Sequence, residues 1–567
     1  MCTVCRPLSV SSCLSCLSCI VLQRDVDPRH LLRLGSGEKS LLKGSSRGKD
    51  AAGNEDVFSK QGRVNWSLAR RLQLLSQVQY LAVSLDIAGD VGYTCETAEY
   101  FQLEHVQSRI EKFNLEMAED NAVVNSIFPF HKYFENAEQP LFKGVDCDVD
   151  KEVAMGCFRH IENLFEELSD YRAFELLRTQ AHRADYLLTK QARIVAMTCT
   201  HAAMTRKRLV QLGFKYDSLV MEEAAQVLEV ETLIPMLLQD TDSVDGSRLK
   251  RVVLLGDHHQ LPPVVQHPAF QRFSHLDQSL FSRFIRLSVP HILLDKQGRA
   301  RPEIAALYSW RYNGLGNLPL VTAGGEYAVA NAGFAHSFQL INVPAFQGKG
   351  EFCPTPHFFQ NLGEAEYVVA VYQFMRLIGY PAEKISILTT YNGQKSLIRD
   401  IISQRCRNPM FGDPARVTTV DKYQGQQNDF ILLSLVRTES VGHLRDIRRL
   451  VVAASRARLG LYVFGRQNLF QNCQELAPTF NLLLKKPSVL QLVDGERFPC
   501  ARMNDEGDSS NTVIDINDVT AMGVIVYQLS QRVTSDPASI KKDDDGATPV
   551  VTEQEKVLPE PMDVEEE

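Results

Sequence analysis

The chain has 567 residues, of which 44% are hydrophobic and 23% are charged, and its formal net charge is −8 at pH 7. No run approaches the roughly 20 uninterrupted apolar residues that a membrane helix needs, so we expect a soluble protein with no membrane partner. Residues 531–567 hold eleven Asp and Glu against four Lys and Arg, a net of −7, and the remaining chain is therefore nearly neutral. Bulk charge neither supports nor excludes a nucleic-acid groove.

Cysteines are unevenly placed along the chain. Five of the thirteen lie within the first nineteen residues, and the other eight are scattered without paired spacing, which is typical of a reducing compartment. A metal site and a signal peptide are two interpretations of the cluster, but it has no nearby His, and the stretch after Arg6 has no clear cleavage site. We expect an irregular, disordered start instead. Residues 36–62 are polar and rich in Gly and Ser, which indicates a flexible loop.

From about residue 63 to residue 190, apolar residues recur at helical spacing. This periodicity predicts an all-helical block. Its apolar faces are consistent with a local core and equally with a stalk that docks a partner. The two clearest sets are Leu72, Leu74, Leu75, Val78, Leu81 and Leu85, and Ile161, Leu164, Phe165, Leu168, Tyr171 and Phe174.

After residue 190 short apolar runs alternate with helical stretches. Such alternation predicts an α/β fold with two parallel sheets between residues 191 and 480, covered on both faces. Beyond about residue 500 the chain becomes polar and then acidic, and we expect a disordered tail. The predicted strands are residues 193–197, 218–221, 252–255, 292–294, 385–388, 417–420, 430–436 and 461–464.

Two of the predicted strands end in residues that suggest chemistry, because ligands of parallel sheets bind beyond the carboxyl ends of the strands. Glu222 and Glu223 directly follow the run 218–221. Adjacent carboxylates can hold Mg²⁺ through one residue and orient an attacking water through the next. The alternative is an acidic first turn of a helix, which the helix dipole favours.

The second such end is the octet GDHHQLPP at residues 256–263, after the run 252–255. Gly256 permits a sharp turn, and Gln260 offers an amide that can sense a phosphate. A Pro-rich turn would account for the last three residues only. The octet therefore favours a functional loop.

Together with later segments, these residues resemble the superfamily-1 helicases of the branch that acts on RNA. EEAAQ (222–226) and GDHHQLPP resemble motifs II and III of that family. The later motifs follow in the family's order: QGRARP (297–302) resembles motif IV, VDKYQGQ (420–426) motif V and RLVVAASRAR (449–458) motif VI. ISILTTYNGQ (385–394) is similar to the strand and turn that contact nucleic acid. The similarity runs from about residue 26 to residue 500 and points to the spliceosomal, intron-binding members.

The resemblance implies two RecA-like domains that clamp ATP and Mg²⁺ between them. Glu222 would hold Mg²⁺, although most relatives have Asp there, and Glu223 would position the water. Gln260 would sense the γ-phosphate. Arg299 and Arg456 would enter from the second domain as arginine fingers, because fixed guanidinium groups stabilise charge on a transferring phosphoryl group.

Further roles follow from the same resemblance. Gln424, Gly425 and Arg458 would contact the nucleotide, although a surface ion-pair role is the alternative for Arg456 and Arg458. Asp421 and Gln424 would couple nucleotide state to RNA binding. The implied partners are single-stranded RNA of a pre-mRNA intron and spliceosomal proteins, in the nucleus. Candidates for the RNA-facing track are Thr198, Thr200, Thr390 and Tyr391.

The sequence departs from the family pattern in three respects. Gly298 stands where many relatives carry an aromatic residue, and Gln427 where they carry Glu. The phosphate-binding loop GxxxxGK[ST] is absent: residues 35–40 place Glu before Lys, and residues 44–50 are one residue short and end in Asp. In the family this loop lies upstream, so we expect a truncated product and predict negligible ATPase activity for this chain alone.

These interpretations give five regions. They are an irregular remnant of the first RecA-like domain (1–62), the helical insertion (63–190), the rest of the first domain (191–290), the second domain (291–485) and a C-terminal extension with an acidic tail (486–567). The main functional hypothesis is an ATP-dependent RNA helicase motor. The alternatives are a non-catalytic RNA-binding scaffold and a DNA helicase of the same superfamily.

Overall fold

A computed structural model describes most of the chain. The described residues are 2–6, 30–35, 60–118, 123–137, 139–142, 144, 147–240, 246–504 and 512–535, with side chains at 2–6 and 268 excepted. The polar loop at 36–59, both rejected loop candidates beyond residue 35 and the acidic tail after residue 535 lie outside these ranges. None of the helices described is long and apolar enough to cross a membrane.

The predicted helical block is confirmed: residues 60–191 contain helices and, in their described part, no strand. Most of the predicted periodic residues are buried in one cluster, whereas Leu72 is exposed. Two ion pairs join the first long helix to later helices. They are Arg70 with Glu167 and Arg71 with Glu175, each with an N–O distance of 2.8 Å. The helices are α1 (Lys60–Ser84), α2 (Cys95–Phe101), α3 (Ser108–Glu116), α4 (Val124–Ile127), α5 (Cys147–Ser169), α6 (Arg172–Leu176) and α7 (Gln180–Tyr186), with π-helical turns at Gln102–Gln107 and Leu187–Gln191.

The first sheet has five parallel strands in the order β2-β3-β1-β4-β5. The two strands that come first in the chain lie in the segment that we expected to be irregular, so that prediction is wrong for residues 2–6 and 31–33. The strands are β1 (Cys2–Arg6), β2 (Leu31–Arg33), β3 (Ile194–Thr198), β4 (Ser218–Met221) and β5 (Arg251–Leu254). The helices that follow are α8 (Cys199–Gln211), α9 (Glu229–Met236), α10 (Pro268–Ser274) and α11 (Leu280–Arg286).

The second sheet also has five parallel strands, in the order β10-β9-β11-β12-β8. Alternate residues of its strands enter two separate apolar clusters, one on each face, as expected for a sheet that is buried on both sides. The strands are β8 (Phe338–Asn342), β9 (Ile385–Thr389), β10 (Arg416–Thr419), β11 (Asn428–Ser434) and β12 (Ala457–Gly465). The helices are α12 (Pro302–Ser309), α13 (Pro319–Thr322), α14 (Leu362–Leu377), α15 (Asn392–Arg405), α16 (Ile447–Ala454), α17 (Gln467–Phe470) and α18 (Ala477–Leu483).

The described residues 486–504 and 512–535 pack onto the second sheet. An antiparallel hairpin of β13 (Leu490–Val493) and β14 (Val513–Ile516) precedes α19 (Val519–Ser535). Leu490, Ile516 and Met522 belong to the same buried cluster as the second sheet. The predicted boundary at residue 485 therefore divides a continuous core.

One predicted strand is wrong. Residues 292–294 pair with no strand of the described chain, and a short pair, β6 (Lys296–Gln297) with β7 (Gly316–Asn317), follows instead. The side chains of Ile292, Leu293 and Leu294 are largely exposed. The run has the residue composition of a strand, but a strand also needs the edge of another strand beside it for hydrogen bonding.

Candidate active site

Side chains from the ends of both sheets meet in one cleft. The Gln424 amide, after β10, donates to Glu223 Oε2 at 3.3 Å and to Gln260 Oε1 at 3.5 Å. Arg456, after α16, donates through Nη2 to the same Gln260 oxygen at 3.4 Å. Two residues of the first sheet and two of the second are thus brought together, although their positions span more than two hundred residues of sequence.

Glu223 stands in a left-handed backbone conformation, with φ 52°. A non-glycine residue there costs on the order of 1 kcal/mol, and such outliers often occur at functional sites. Gln226 Nε2 donates to its carboxylate at 2.8 Å, and the amide of Ala224 donates to Leu255 O at 2.8 Å. The carboxylate is therefore held at the junction of β4 and β5. Glu223 is the N-cap of a single 3-10 turn, Ala224–Gln226, and the next α-helix begins only at Glu229, so neither carboxylate lies in the first turn of an α-helix.

Gly256 is required for close packing between the two loops of the first sheet. A Cβ atom at this position would lie 2.9 Å from the amide nitrogen of Ala225. Gly256 is not among the residues with positive φ. The glycine therefore permits close approach of two backbones rather than the sharp turn that the sequence suggested.

Asp257 fixes the orientation of Gln260. Its carboxylate accepts hydrogen bonds from the amide of His259 at 2.9 Å, from Gln260 Nε2 at 2.8 Å and from Tyr312 Oη at 2.6 Å. Since Nε2 of Gln260 is engaged in this way, its Oε1 is turned towards Arg456. Tyr312 follows α12 of the second domain, so this hydrogen bond also joins the two domains.

Sequence reasoning did not single out Asp257 or Tyr312. Burial, followed by the nearby Asp257 carboxylate, raises the pKa of Tyr312, so the phenol remains a donor at neutral pH. Leu261, from the same loop, is buried in an apolar cluster of the second domain. The only sequence signal for Asp257 was its place inside the GDHHQLPP octet.

Two guanidinium groups lie close together in the cleft. Arg456 is buried, and its donors contact Val452 O at 2.9 Å and Ser455 Oγ at 2.8 Å. Burial and then the neighbouring Arg299 lower the pKa of Arg456 to about 10, although Glu223 opposes this change. Arg299 donates to Ser455 O at 3.0 Å and to Gln427 Oε1. A buried and a half-buried guanidinium group with one nearby carboxylate are well suited to a multiply charged anion.

The side-chain oxygen of Gln424 is a buried acceptor that a ligand could use. Gln424 is 1% exposed, and its Oε1 makes no hydrogen bond to any described residue. A buried acceptor without a donor is costly unless a water or ligand supplies one. Gly425, the next residue, has φ 76°, a conformation that glycine adopts at little cost.

Arg458 does not join the cleft. Its guanidinium donates to Asp429 and Glu326, and to the Tyr327 hydroxyl at 3.0 Å. These internal partners are those of the ion-pair alternative, and a nucleotide contact by Arg458 stays a prediction. Arg456 has no carboxylate partner of that kind among its hydrogen bonds.

Two of the four predicted RNA-track residues are used inside the protein. Thr390 is buried and donates to Leu435 O at 3.2 Å. Tyr391 is also buried, and its hydroxyl accepts from the amide of His443 at 3.1 Å. Both side chains are buried, and an RNA contact at either residue stays a prediction. In the first domain, Thr198 caps α8 by accepting from His201 N at 3.1 Å, and Thr200 is exposed beside it.

A basic cluster that the sequence reasoning missed lies near the ends of β9 and β10. The cluster consists of Lys395, Arg399 and Lys422. Burial makes the largest contribution to a lowered pKa of Lys395, and the nearby charges of Lys422 and Arg399 lower it further. Arg399 also donates to Val417 O at 3.0 Å, which fixes it beside β10. A spacing of 27 residues between Lys395 and Lys422 gave no sequence signal for this cluster.

A cavity of about 200 Å³ adjoins the cleft at Gln260. The first domain lines it with His258 and Asp277, and the second with Arg448. No group of three or more His, Cys, Asp or Glu in the described parts of the chain is arranged to hold a metal ion. Protein-bound Mg²⁺ commonly needs only one or two carboxylates together with substrate phosphates, so a single carboxylate such as Glu222, which precedes Glu223 in the chain, fits that ion.

The fold and this cleft are similar to those of the superfamily-1 helicases, which have two RecA-like domains. Two models described as "AAA domain" match residues 102–268 and 276–468. The first match covers the helical block from residue 102 together with β3, β4 and β5, and the second match covers the second sheet.

Individual relatives are more specific. The chain is 55% identical to the mouse protein named RNA helicase aquarius over 521 residues, which are 90% of this chain and 34% of that protein. It is 30% identical to the pre-mRNA-splicing factor cwf11 of Schizosaccharomyces pombe, over 85% of this chain and 37% of the other. It is 29% identical to the ATP-dependent helicase NAM7 of Saccharomyces cerevisiae, over 55% and 31%. The chain thus spans about a third of the length of these relatives.

Proposed function

We propose that the chain is the motor part of an ATP-dependent RNA helicase of the spliceosome, which acts on single-stranded RNA of the pre-mRNA intron in the nucleus. The observation that supports this most strongly is the meeting of Glu223, Gln260, Gln424 and Arg456 in one cleft. Two carboxylates, two amides and two guanidinium groups are the side chains that phosphoryl transfer needs. The names of the mouse and fission-yeast relatives support the assignment to splicing.

In this proposal the first sheet supplies the carboxylates. Glu222 contributes a ligand to Mg²⁺, which when bound would neutralise charge on the nucleotide phosphates. Glu223 orients the attacking water and accepts its proton. Gln260 contacts the terminal phosphate through an amide whose orientation Asp257 fixes.

The second sheet supplies the cations. Arg299 and Arg456 approach the terminal phosphate, and their internal hydrogen bonds hold both guanidinium groups in place before any ligand arrives. Fixed donors need no reorganisation when charge develops. Gln424 contacts both catalytic side chains of the first sheet, so it is suited to report closure of the cleft to the RNA side.

RNA binding is assigned to the basic cluster of Lys395, Arg399 and Lys422 and to Thr198 and Thr200. Cations that follow the backbone give binding that is independent of sequence and strongly dependent on salt. We expect Lys395→Glu with Lys422→Glu to weaken binding of a labelled single-stranded RNA in fluorescence anisotropy. Lys151→Glu, at an exposed position of α5, is the matched control and should leave binding unchanged. Equal binding by all three proteins would remove the RNA track from this face.

The non-catalytic scaffold is the second candidate, because the printed sequence contains no GxxxxGK[ST] loop to hold the β and γ phosphates. We expect no ATP hydrolysis by the 567-residue chain in a phosphate-release assay. Hydrolysis that Glu223→Gln abolishes would contradict this expectation and favour the complete motor. Comparison of matched RNA and DNA strands in the anisotropy experiment distinguishes the RNA helicase from a DNA helicase.

A further inference from the structure

The loop at residues 256–263 belongs to the first sheet but is attached to the second. It follows β5 directly in the chain. Leu261, near its end, is buried in an apolar cluster whose other members all come from the second sheet and its helices. The ring of His259 lies edge-on to the ring of Tyr312, with 5.1 Å between their centroids. Gln260 stands between these two attachment points, so its position depends on the second sheet.

The carboxylate of Asp257 carries this attachment to the side chain of Gln260. One oxygen, Oδ2, accepts both from Gln260 Nε2 at 2.8 Å and from Tyr312 Oη at 2.6 Å. The other oxygen, Oδ1, accepts from the amide of His259 at 2.9 Å. The terminal torsion of an Asp side chain is broad, so a carboxylate rotates easily unless its partners hold it. The Tyr312 hydroxyl therefore fixes the same oxygen atom that orients Gln260.

This orientation decides what Gln260 presents to the cleft. Its amide nitrogen has two hydrogens, and Asp257 takes one of them, which leaves the other for a phosphate oxygen. Its Oε1 faces the donors of Gln424 and Arg456, at 3.5 and 3.4 Å. Rotation of the Asp257 carboxylate would release the amide from both directions at once.

We propose that Tyr312 is a positioning residue, which acts through Asp257 to hold the Gln260 amide in the direction of the terminal phosphate. The inference rests on the proposed nucleotide chemistry of this cleft, because Gln260 is the group that is positioned. Tyr312 follows α12, on the side of the second sheet, so separation of the sheets removes the hydroxyl from Asp257. Alignment of Gln260 is thereby coupled to closure of the cleft.

A double-mutant cycle tests the proposal by isothermal titration calorimetry with inorganic tripolyphosphate and Mg²⁺. Tyr312→Phe removes only the hydroxyl, and we expect about fivefold weaker binding. In the Gln260→Ala background the same substitution should have no effect, because no amide remains to be positioned. Tyr367→Phe is the matched control, since its buried hydroxyl donates to Ile516 O at 3.1 Å, and it should leave binding unchanged in both backgrounds. Equal losses from Tyr312→Phe in both backgrounds, or no loss in either, overturn the proposal.

Hydrogen exchange without any ligand separates this inference from the proposed function. Peptides that cover residues 256–263 should exchange faster in Tyr312→Phe than in wild type, because the His259 amide loses a fixed acceptor. Exchange of the same peptides should be unchanged in Tyr367→Phe. A wild type that does not bind tripolyphosphate contradicts the nucleotide chemistry, whereas unchanged exchange in Tyr312→Phe overturns the role of Tyr312 whatever the binding result.

Discussion

The two sheets have the same number of parallel strands but differ in how their faces are covered. The second sheet has a buried apolar cluster on each face, and the C-terminal hairpin and α19 complete one of them. The described residues of the first sheet contribute to a single cluster, and β5 remains exposed. The second sheet is therefore the more rigid side of the cleft. The first sheet, which carries the carboxylates, is less completely covered by apolar side chains.

The largest expected effect concerns a buried polar cluster of the second sheet, formed by Glu364, Ser434 and Val436, which we call the polar hub. Glu364, at the start of α14, is fully buried and accepts from Ser434 Oγ and Val436 N, both at 2.7 Å. Glu364→Ala leaves both donors buried without an acceptor, so we expect a loss of about 3 kcal/mol in unfolding free energy. Urea denaturation measures it, with Glu366→Ala on the same helix as the control. Similar losses for both variants would contradict the rigid-hub interpretation.

The same substitution in both sheets sharpens the comparison. Val463 in β12 is 2% exposed, and a threonine there buries a hydroxyl, which costs about 2 kcal/mol. Val252→Thr in exposed β5 should change the unfolding free energy by less than about 0.5 kcal/mol. Equal effects of the two substitutions in denaturant titrations would contradict the difference in burial between the two sheets.

Sequence reasoning predicted the second sheet better than the first. The runs at 385–388, 417–420 and 430–436 became β9, β10 and β11 with shifts of one or two residues, because long β-branched runs are buried on both faces. It missed β8, whose FQLIN alternates with polar residues, and β1 and β2, which lie in polar surroundings. At the site, motif order predicted Glu223, Gln260 and Arg456. Tyr312 and the Lys395 cluster depend on tertiary contacts that no local pattern encodes.

The hub also predicts a pH dependence. Burial raises the pKa of Glu364 from 4.5 to about 8, against the lowering effect of its hydrogen bonds from Ser434 and Val436. Because the folded-state pKa is the higher one, the stabilising contribution is complete below pH 4.5 and is lost as pH rises towards 8. We expect the unfolding free energy to fall by about 1 kcal/mol per pH unit within this window.

Glu364→Gln cannot titrate, so its unfolding free energy should vary less with pH than that of wild type. Denaturant titrations across the window measure the two slopes, and Glu366→Gln controls for the removal of one charge from α14. Parallel slopes for wild type and Glu364→Gln would show that Glu364 does not change its protonation state there.

The central claim is that one cleft between the two sheets holds a polyphosphate through the buried Arg456 and the half-buried Arg299. Isothermal titration calorimetry with inorganic tripolyphosphate and Mg²⁺ tests it without needing hydrolysis. Wild type should bind, Arg456→Gln should bind at least tenfold more weakly, equivalent to about 1.4 kcal/mol, and Arg445→Gln, in an exposed ion pair with Glu475, should bind like wild type. Undiminished binding by Arg456→Gln would contradict the claim.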